Sequence, residues 1–175
     1  MKGTAIAIGV FLLLTVAVQA QAPKPGPDYK KLDVWNGEWT YDVEYKASPM
    51  GAAGKATGKM TIQMILGGFA QQVNYSEKGT SGTIEGIQII GYNPTIKAFT
   101  WNTWDNTGAI ISGSVTVNGN TWNWKGTTIQ GGKRFAVRGT DVLSADFKID
   151  KYTLEISSDE KTWIPVLESI NTKVK

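Results

Sequence analysis

The chain of 175 residues contains no histidine and no cysteine. Histidine is the side chain whose unperturbed pKa lies closest to neutral pH, and cysteine is a ready nucleophile and a soft metal ligand. The absence of both excludes Ser-His-Asp and Cys-His catalysis, disulfide bonds, and metal or haem sites that need either residue. We therefore expect no cofactor and no metal ion, and a fold that core packing stabilises without disulfides.

The chain also lacks a concentration of charge of either sign. It carries 18 lysines and arginines against 15 aspartates and glutamates, for a net charge of +3. The basic residues are scattered, and the longest basic runs are the pairs Lys30-Lys31 and Lys133-Arg134. Nucleic-acid binding requires a concentrated basic face, so we expect no nucleic-acid partner.

Carboxylates offer one route to catalysis without histidine, because two of them can hydrolyse a glycosidic bond. Asp42 and Glu44 lie on the polar side of one predicted strand, which is typical of a solvated outer face. Asp105 and Asp141 fall among turns and strand ends, and no local spacing pairs an acid with a base. We predict that the protein is not an enzyme; an enzyme whose carboxylates meet only through barrel closure is the alternative.

The N-terminus has the features of an export signal. Lys2 precedes an apolar run over residues 5–18, and Val18-Gln19-Ala20 has the small residues that signal peptidases recognise. The run is shorter than the roughly 20 apolar residues that a membrane span needs. We predict a signal peptide over residues 1–20, cleaved after Ala20, and a periplasmic or secreted mature protein with no membrane span. A retained membrane anchor is the alternative.

The rest of the chain has the two-residue period of half-buried strands. A proline-rich tether over residues 21–27 and a short helical turn after Asp28 precede it. Aromatic and apolar residues then alternate with polar ones in ten segments, which turn sequences such as Asn118-Gly119 separate. Antiparallel neighbours are the economical topology, and closure removes both exposed edges. We predict an all-β domain over residues 28–175, a single antiparallel up-and-down β-barrel of about ten strands, with a β-sandwich as the alternative.

Gly37-Glu38-Trp39 follows the helical turn and opens the first predicted strand. A Gly-x-Trp in this place resembles the signature of calycin or lipocalin-like barrels. The resemblance implies that Trp39 closes one end of the barrel beneath a basic side chain from a late strand, for which Lys173 is the candidate. It gives Gly37 and Trp39 a structural role and no part in ligand binding.

Further segments extend the resemblance over about residues 25–175. They are Lys31-Leu32, Ile65-Leu66-Gly67-Gly68-Phe69, Ile90-Gly91-Tyr92-Asn93-Pro94 and Lys161-Thr162-Trp163. In this order, with Gly37-Glu38-Trp39-Thr40 between the first two, they resemble the bacterial domain-of-unknown-function family numbered 1579. That family is similar to calycin barrels and to nitrobindin-type haem-binding barrels, and it has no settled activity. Nitrobindin-like haem binding needs an axial histidine, so haem is not expected here.

Aromatic and methionine side chains on the strands form the candidate binding site. The first strand presents an aromatic face that must point into an enclosed space, and a small apolar or amphiphilic ligand inside the barrel would use it. The predicted lining residues are Tyr41, Tyr45, Met60, Met64, Tyr75 and Trp101. The alternative is a filled barrel that acts as a structural or protein-interaction module of the cell envelope.

Overall fold

The computed structural model describes residues 23–80 and 82–175. The predicted signal peptide and the cleavage site after Ala20 lie outside these residues, as does the start of the predicted tether. Within the described ranges, no helix has the length and apolar character that crossing a membrane would require.

A 3-10 helix over Tyr29–Trp35 precedes the strands, in the place where the sequence predicts a helical turn. It buries Leu32 and Trp35. Asp28 occupies the N-terminal cap position, but its side chain makes no capping hydrogen bond. It accepts one instead from Nζ of Lys31, at 2.7 Å. The helix is therefore held in place by its buried face.

Ten strands follow, as the alternation predicts, and each is antiparallel to its neighbours in the chain. Their bounds are β1 Gly37–Tyr45, β2 Gly54–Ile65, β3 Ala70–Gly79, β4 Gly82–Asn93, β5 Ala98–Asp105, β6 Ile110–Asn118, β7 Thr121–Gln130, β8 Lys133–Leu143, β9 Ile149–Ser157 and β10 Ile164–Lys173. A second 3-10 segment, Leu66–Gly68, connects β2 to β3. β1 also pairs with β10, which closes the sheet into an up-and-down barrel without free edges.

Two local features are not apparent from the sequence. β2 begins at Gly54, so more than half of the small-residue segment 51–58 belongs to a strand. The turn between β6 and β7 has Gly119 and Asn120 at its centre, because Asn118 pairs with Thr121. Only Gly119 of this pair has a positive φ, of 58°, so the turn does not need two such residues.

The 3-10 helix covers one end of the barrel, and a buried aromatic cluster forms there. Trp35 packs between Trp39 and Trp122, with ring centroids 5.7 and 5.6 Å away. Nε2 of Gln71, on β3, donates to the carbonyl oxygen of Leu32 at 2.7 Å. We call this the closed end; the other end, where the loop over residues 46–53 lies, is the mouth.

The Gly-x-Trp segment closes this end in the way that the resemblance implies. Trp39 is 1% exposed, and its Nε1 donates to the carbonyl oxygen of Trp35 at 2.8 Å. Nζ of Lys173 lies 5.5 Å from the centroid of the Trp39 ring and donates to the carbonyl oxygen of Val34. A Cβ on Gly37 would lie 1.9 Å from the carbonyl oxygen of Lys175, so only glycine allows this approach.

Candidate functional site

A cavity of about 620 Å³ lies inside the barrel between the closed end and the mouth. Its floor includes Trp35 of the 3-10 helix, and its upper part reaches the loop over residues 46–53. The closed end is filled by large aromatic side chains, whereas small residues such as Ala56 and Gly79 face the space nearer the mouth. A ten-strand barrel is wide enough to leave internal room unless large side chains fill it.

Five of the six predicted lining residues surround this cavity: Tyr41, Tyr45, Met60, Tyr75 and Trp101. Met64 does not line it. It lies near the end of β2, level with the 3-10 helix, and packs against the closed-end cluster. Its Sδ is 4.0 Å from Nε2 of Gln71. Trp104, which alternates with Trp101, is 42% exposed on the outer wall.

Two lining tyrosines lie flat against the wall because the residue opposite each is glycine. Tyr41 pairs with Gly58 and Tyr75 pairs with Gly86 in the strand register. A Cβ on Gly58 would lie 2.2 Å from Cζ of Tyr41, and one on Gly86 would lie 2.3 Å from Cζ of Tyr75. The rings therefore occupy the space that side chains at these glycines would fill, and they leave the lumen open.

A buried carboxylate, Glu77, sits among these tyrosines on the mouth side of the cavity. The hydroxyl of Tyr45 donates to Oε1 of Glu77 at 2.7 Å. Burial raises the pKa of Glu77, against the opposing effect of the hydrogen bonds from Tyr45 and Tyr41. Burial and the nearby Glu77 charge raise the pKa of Tyr41 as well, so its hydroxyl stays neutral. This group provides hydrogen-bonding atoms for a ligand near the mouth.

Two aspartates meet deeper in the cavity, on neighbouring strands. Asp141 of β8 is 6% exposed and Asp150 of β9 is fully buried. Trp124 donates its indole N–H to Asp141, and Nδ2 of Asn171 donates to Oδ2 of Asp150 at 2.5 Å. Burial raises the pKa of Asp141, and the adjacent Asp150 raises it further. Burial raises the pKa of Asp150 as well, so the folded pair is protonated more readily than a free aspartate.

The sequence predicts Asp141 among turns and strand ends and does not indicate its meeting with Asp150. The signal for Asp141 was present, because it is in phase with Phe135 and Val137, which both face inward on β8. No such signal exists for the pairing itself, since that depends on the register between β8 and β9. No group of three or more carboxylates suited to a metal ion occurs in residues 23–80 and 82–175.

Three buried polar atoms among the lining residues have no hydrogen-bond partner. They are Oδ1 of Asp150, Oε1 of Gln71 and Nε1 of Trp101. Gln71 is 1% exposed and Trp101 is 5% exposed, so bulk water does not cover them. Buried polar atoms are normally paired with protein or with ordered water. An ordered water or a polar group of a ligand would give these atoms their partner.

Replacing Asp141 by its neutral analogue, Asp141→Asn, should stabilise the protein at neutral pH. An asparagine keeps an acceptor for Trp124, and its amide can donate to the free oxygen of Asp150. The ordinary pKa of the carboxyl is 3.8. Because the folded pair keeps a proton that the unfolded chain has released above this pH, its stabilising contribution is lost as pH rises. We expect a gain of about 1–3 kcal/mol in the free energy of unfolding at neutral pH.

Urea denaturation followed by circular dichroism at several pH values measures this gain. The advantage of Asp141→Asn over the natural protein should grow as pH rises from about 4 towards neutrality. Asp42→Asn, on the exposed outer face of β1, is the matched control and should change nothing. A variant that is less stable than the natural protein at every pH would show that the pair does not carry a costly charge.

The site and the fold together define a class: a closed ten-stranded antiparallel β-barrel with an internal cavity reaching its mouth. Residues 24–170 match the family described as "Protein of unknown function (DUF1579)". The match spans most of the chain, and the protein therefore belongs to this family, as the ordered segments in the sequence indicate.

Comparison with one solved structure agrees with the barrel. The structure is similar to that of Rv2717c from M. tuberculosis, with a TM-score of 0.61 and 11% sequence identity, over 86% of this chain and 99% of that one. It also matches a de novo designed fluorescence-activating β-barrel, with a TM-score of 0.44 and 10% identity, over 82% of this chain and 97% of that one. The sequence matches none of the curated proteins with which it was compared.

Proposed function

We propose that the protein is an exported carrier or receptor that binds a small apolar or amphiphilic molecule inside its barrel. The observation that supports this role is the cavity of about 620 Å³ and its aromatic lining. Small-molecule sites typically have volumes of about 300–1,000 Å³, mostly apolar walls and a few polar groups that orient the ligand. Tyr41, Tyr75 and Trp101 supply such walls, and Glu77 and the aspartate pair supply the polar groups.

The proposed role is binding without turnover. The two buried aspartates are already engaged by Trp124 and Asn171, which suits an anchoring role. Glu77 is held by Tyr45 on the mouth side. A panel of glycoside and ester substrates incubated with the purified protein tests this part of the proposal, and turnover of any of them would overturn it.

Export is the second part of the proposal, and the N-terminal sequence supports it. Fractionation of the natural host followed by intact-mass measurement tests it directly. We expect the protein in the periplasmic or extracellular fraction, with the mass of a chain whose first residue is Gln21. A cytoplasmic protein that retains residues 1–20 would contradict both the predicted localisation and the predicted cleavage after Ala20.

Native mass spectrometry beside denatured mass spectrometry tests the binding role. Protein that has been exported, and purified without detergent, should carry an excess mass of small-molecule size that disappears on denaturation. Bare protein that also fails to take up N-phenyl-1-naphthylamine, an uncharged apolar dye, would contradict ligand binding. This result would favour the interaction-module alternative, for which the exposed cross-strand pair Trp104 and Ile110 on the outer wall is a contact surface.

A further inference from the structure

The charged groups of the cavity are arranged by depth. Lys46 and Lys55, the lysines among its lining residues, lie at the mouth: Lys46 follows the last residue of β1, and Lys55 is the second residue of β2. Asp150 is the second residue of β9 and lies at the opposite, closed end. Lys173 is also at that end, but it lies against the Trp39 ring with its Nζ bonded to Val34. Among the described lining residues, the deep part of the cavity is therefore acidic.

The deep part also contains hydrogen-bond acceptors that have no donor. Oδ1 of Asp150 and Oε1 of Gln71 are buried acceptor atoms without a partner. A carboxylate in such a place is costly unless a cation or a hydrogen-bond donor reaches it. The side-chain amide of Gln71 cannot flip to give Oε1 a partner, because its Nε2 already donates to the Leu32 carbonyl and to Oδ1 of Asn36.

Aromatic rings lie beside Asp141 and line the same cavity. Trp101 and Trp124 pack edge to face, with centroids 5.3 Å apart, and Trp124 is the residue that donates to Asp141. Gln71, Ile90 and Trp101 are directly opposite one another on β3, β4 and β5. Indole faces attract cations through the ring quadrupole, and this attraction is strongest where water is excluded. Carboxylate and indole together suit a positively charged group.

We infer that the cavity prefers an amphiphile with a protonated amine as its head group, bound at the Asp141–Asp150 pair, with its apolar body directed to the mouth. The inference rests on the proposed binding function and names its ligand class. An ammonium group at the pair donates to Asp150, whose Oδ1 has no partner, and it neutralises the charge of the pair. A fatty acid has the opposite character, since its carboxylate would face the aspartates with no deep lysine or arginine among the described lining residues.

Three probes of equal chain length and different head-group charge test the inference: decylamine, 1-decanol and decanoate. Isothermal titration of each gives the affinity of the purified protein, with decylamine and decanoate kept below their critical micelle concentrations and 1-decanol below its solubility limit. We expect decylamine to bind at least about tenfold more tightly than 1-decanol, because hydrogen bonds to charged groups are the stronger ones. Decanoate should bind more weakly than the alcohol.

Variants locate the preference within the cavity. Asp141→Asn leaves one carboxylate, Asp150, and should keep the preference for the amine. The double variant Asp141→Asn with Asp150→Asn removes the charge and should bind the amine and the alcohol with similar affinity. Asp42→Asn on the outer wall is the control that should leave all three affinities unchanged. The preference in the natural protein is measurable whether or not the double variant folds.

The outcomes separate the two proposals. Equal binding of decylamine and 1-decanol by the natural protein would overturn the amine preference and leave the proposed binding function standing, with ordered water as the partner of the free acceptors. Loss of the preference in Glu77→Gln but not in the double aspartate variant would overturn the deep location. Failure of all three probes and of N-phenyl-1-naphthylamine to bind would overturn both proposals.

Discussion

Trp39→Ala should lower the free energy of unfolding by about 3–5 kcal/mol, the usual cost of truncating a fully buried tryptophan to alanine. Trp39 is 1% exposed at the closed end, where its ring contacts Trp35 and lies under Lys173. Its removal leaves a cavity beneath the 3-10 helix and deletes the hydrogen bond to the Trp35 carbonyl. Since small domains are stable by only about 5–15 kcal/mol, this single change removes a large part of the total.

Equilibrium urea unfolding followed by far-UV circular dichroism measures the loss. Trp104→Ala is the matched control, because Trp104 is 42% exposed on the outer wall and its removal should cost less than about 1 kcal/mol. Trp39→Phe should fall between the two, since it keeps an aromatic ring but loses the N–H. Equal losses in Trp39→Ala and Trp104→Ala would show that closure of this end does not depend on the Gly-x-Trp segment.

The barrel itself could be predicted from the sequence because its determinants are local. The alternation in residues 39–45 sets which face of β1 is buried, and turn sequences set where each strand reverses. The start of β2 could not be predicted from the sequence, and the reason is physical. Its inward residues there are Ala56 and Gly58, and Gly58 has no side chain because the Tyr41 ring occupies that space. A strand whose inward face is supplied by its neighbour shows no apolar alternation of its own.

The site could be predicted only in part, for a related reason. The burial of aromatic residues such as Tyr41 and Trp101 can be predicted from the alternation, and both residues line the cavity. Met64 shows the same alternation but lies too close to the closed end, and the depth of a residue along the barrel axis is not encoded in a two-residue period. The meeting of Asp141 with Asp150 depends on strand register and closure, which link residues across the barrel wall.

Gly58→Ala should close much of the cavity and weaken the binding of an uncharged apolar ligand. A Cβ at this position would lie 2.2 Å from Cζ of Tyr41, and the three atoms nearest to that Cβ all belong to the Tyr41 side chain. We expect this side chain to yield by swinging into the lumen. We expect the affinity for N-phenyl-1-naphthylamine to fall at least about tenfold, or about 1.4 kcal/mol. Fluorescence titration measures the change.

Gly91→Ala is the matched control for this prediction, because its Cβ would meet nothing closer than the Phe69 carbonyl oxygen at 3.7 Å. The affinity of Gly91→Ala should equal that of the natural protein. Adding Tyr41→Ala to Gly58→Ala removes the displaced ring and should restore binding, which a general loss of folding could not do. If Gly58→Ala binds the dye as tightly as the natural protein, then the glycine opposite Tyr41 does not keep the barrel open. The cavity would in that case depend on the width of the ten-stranded sheet alone.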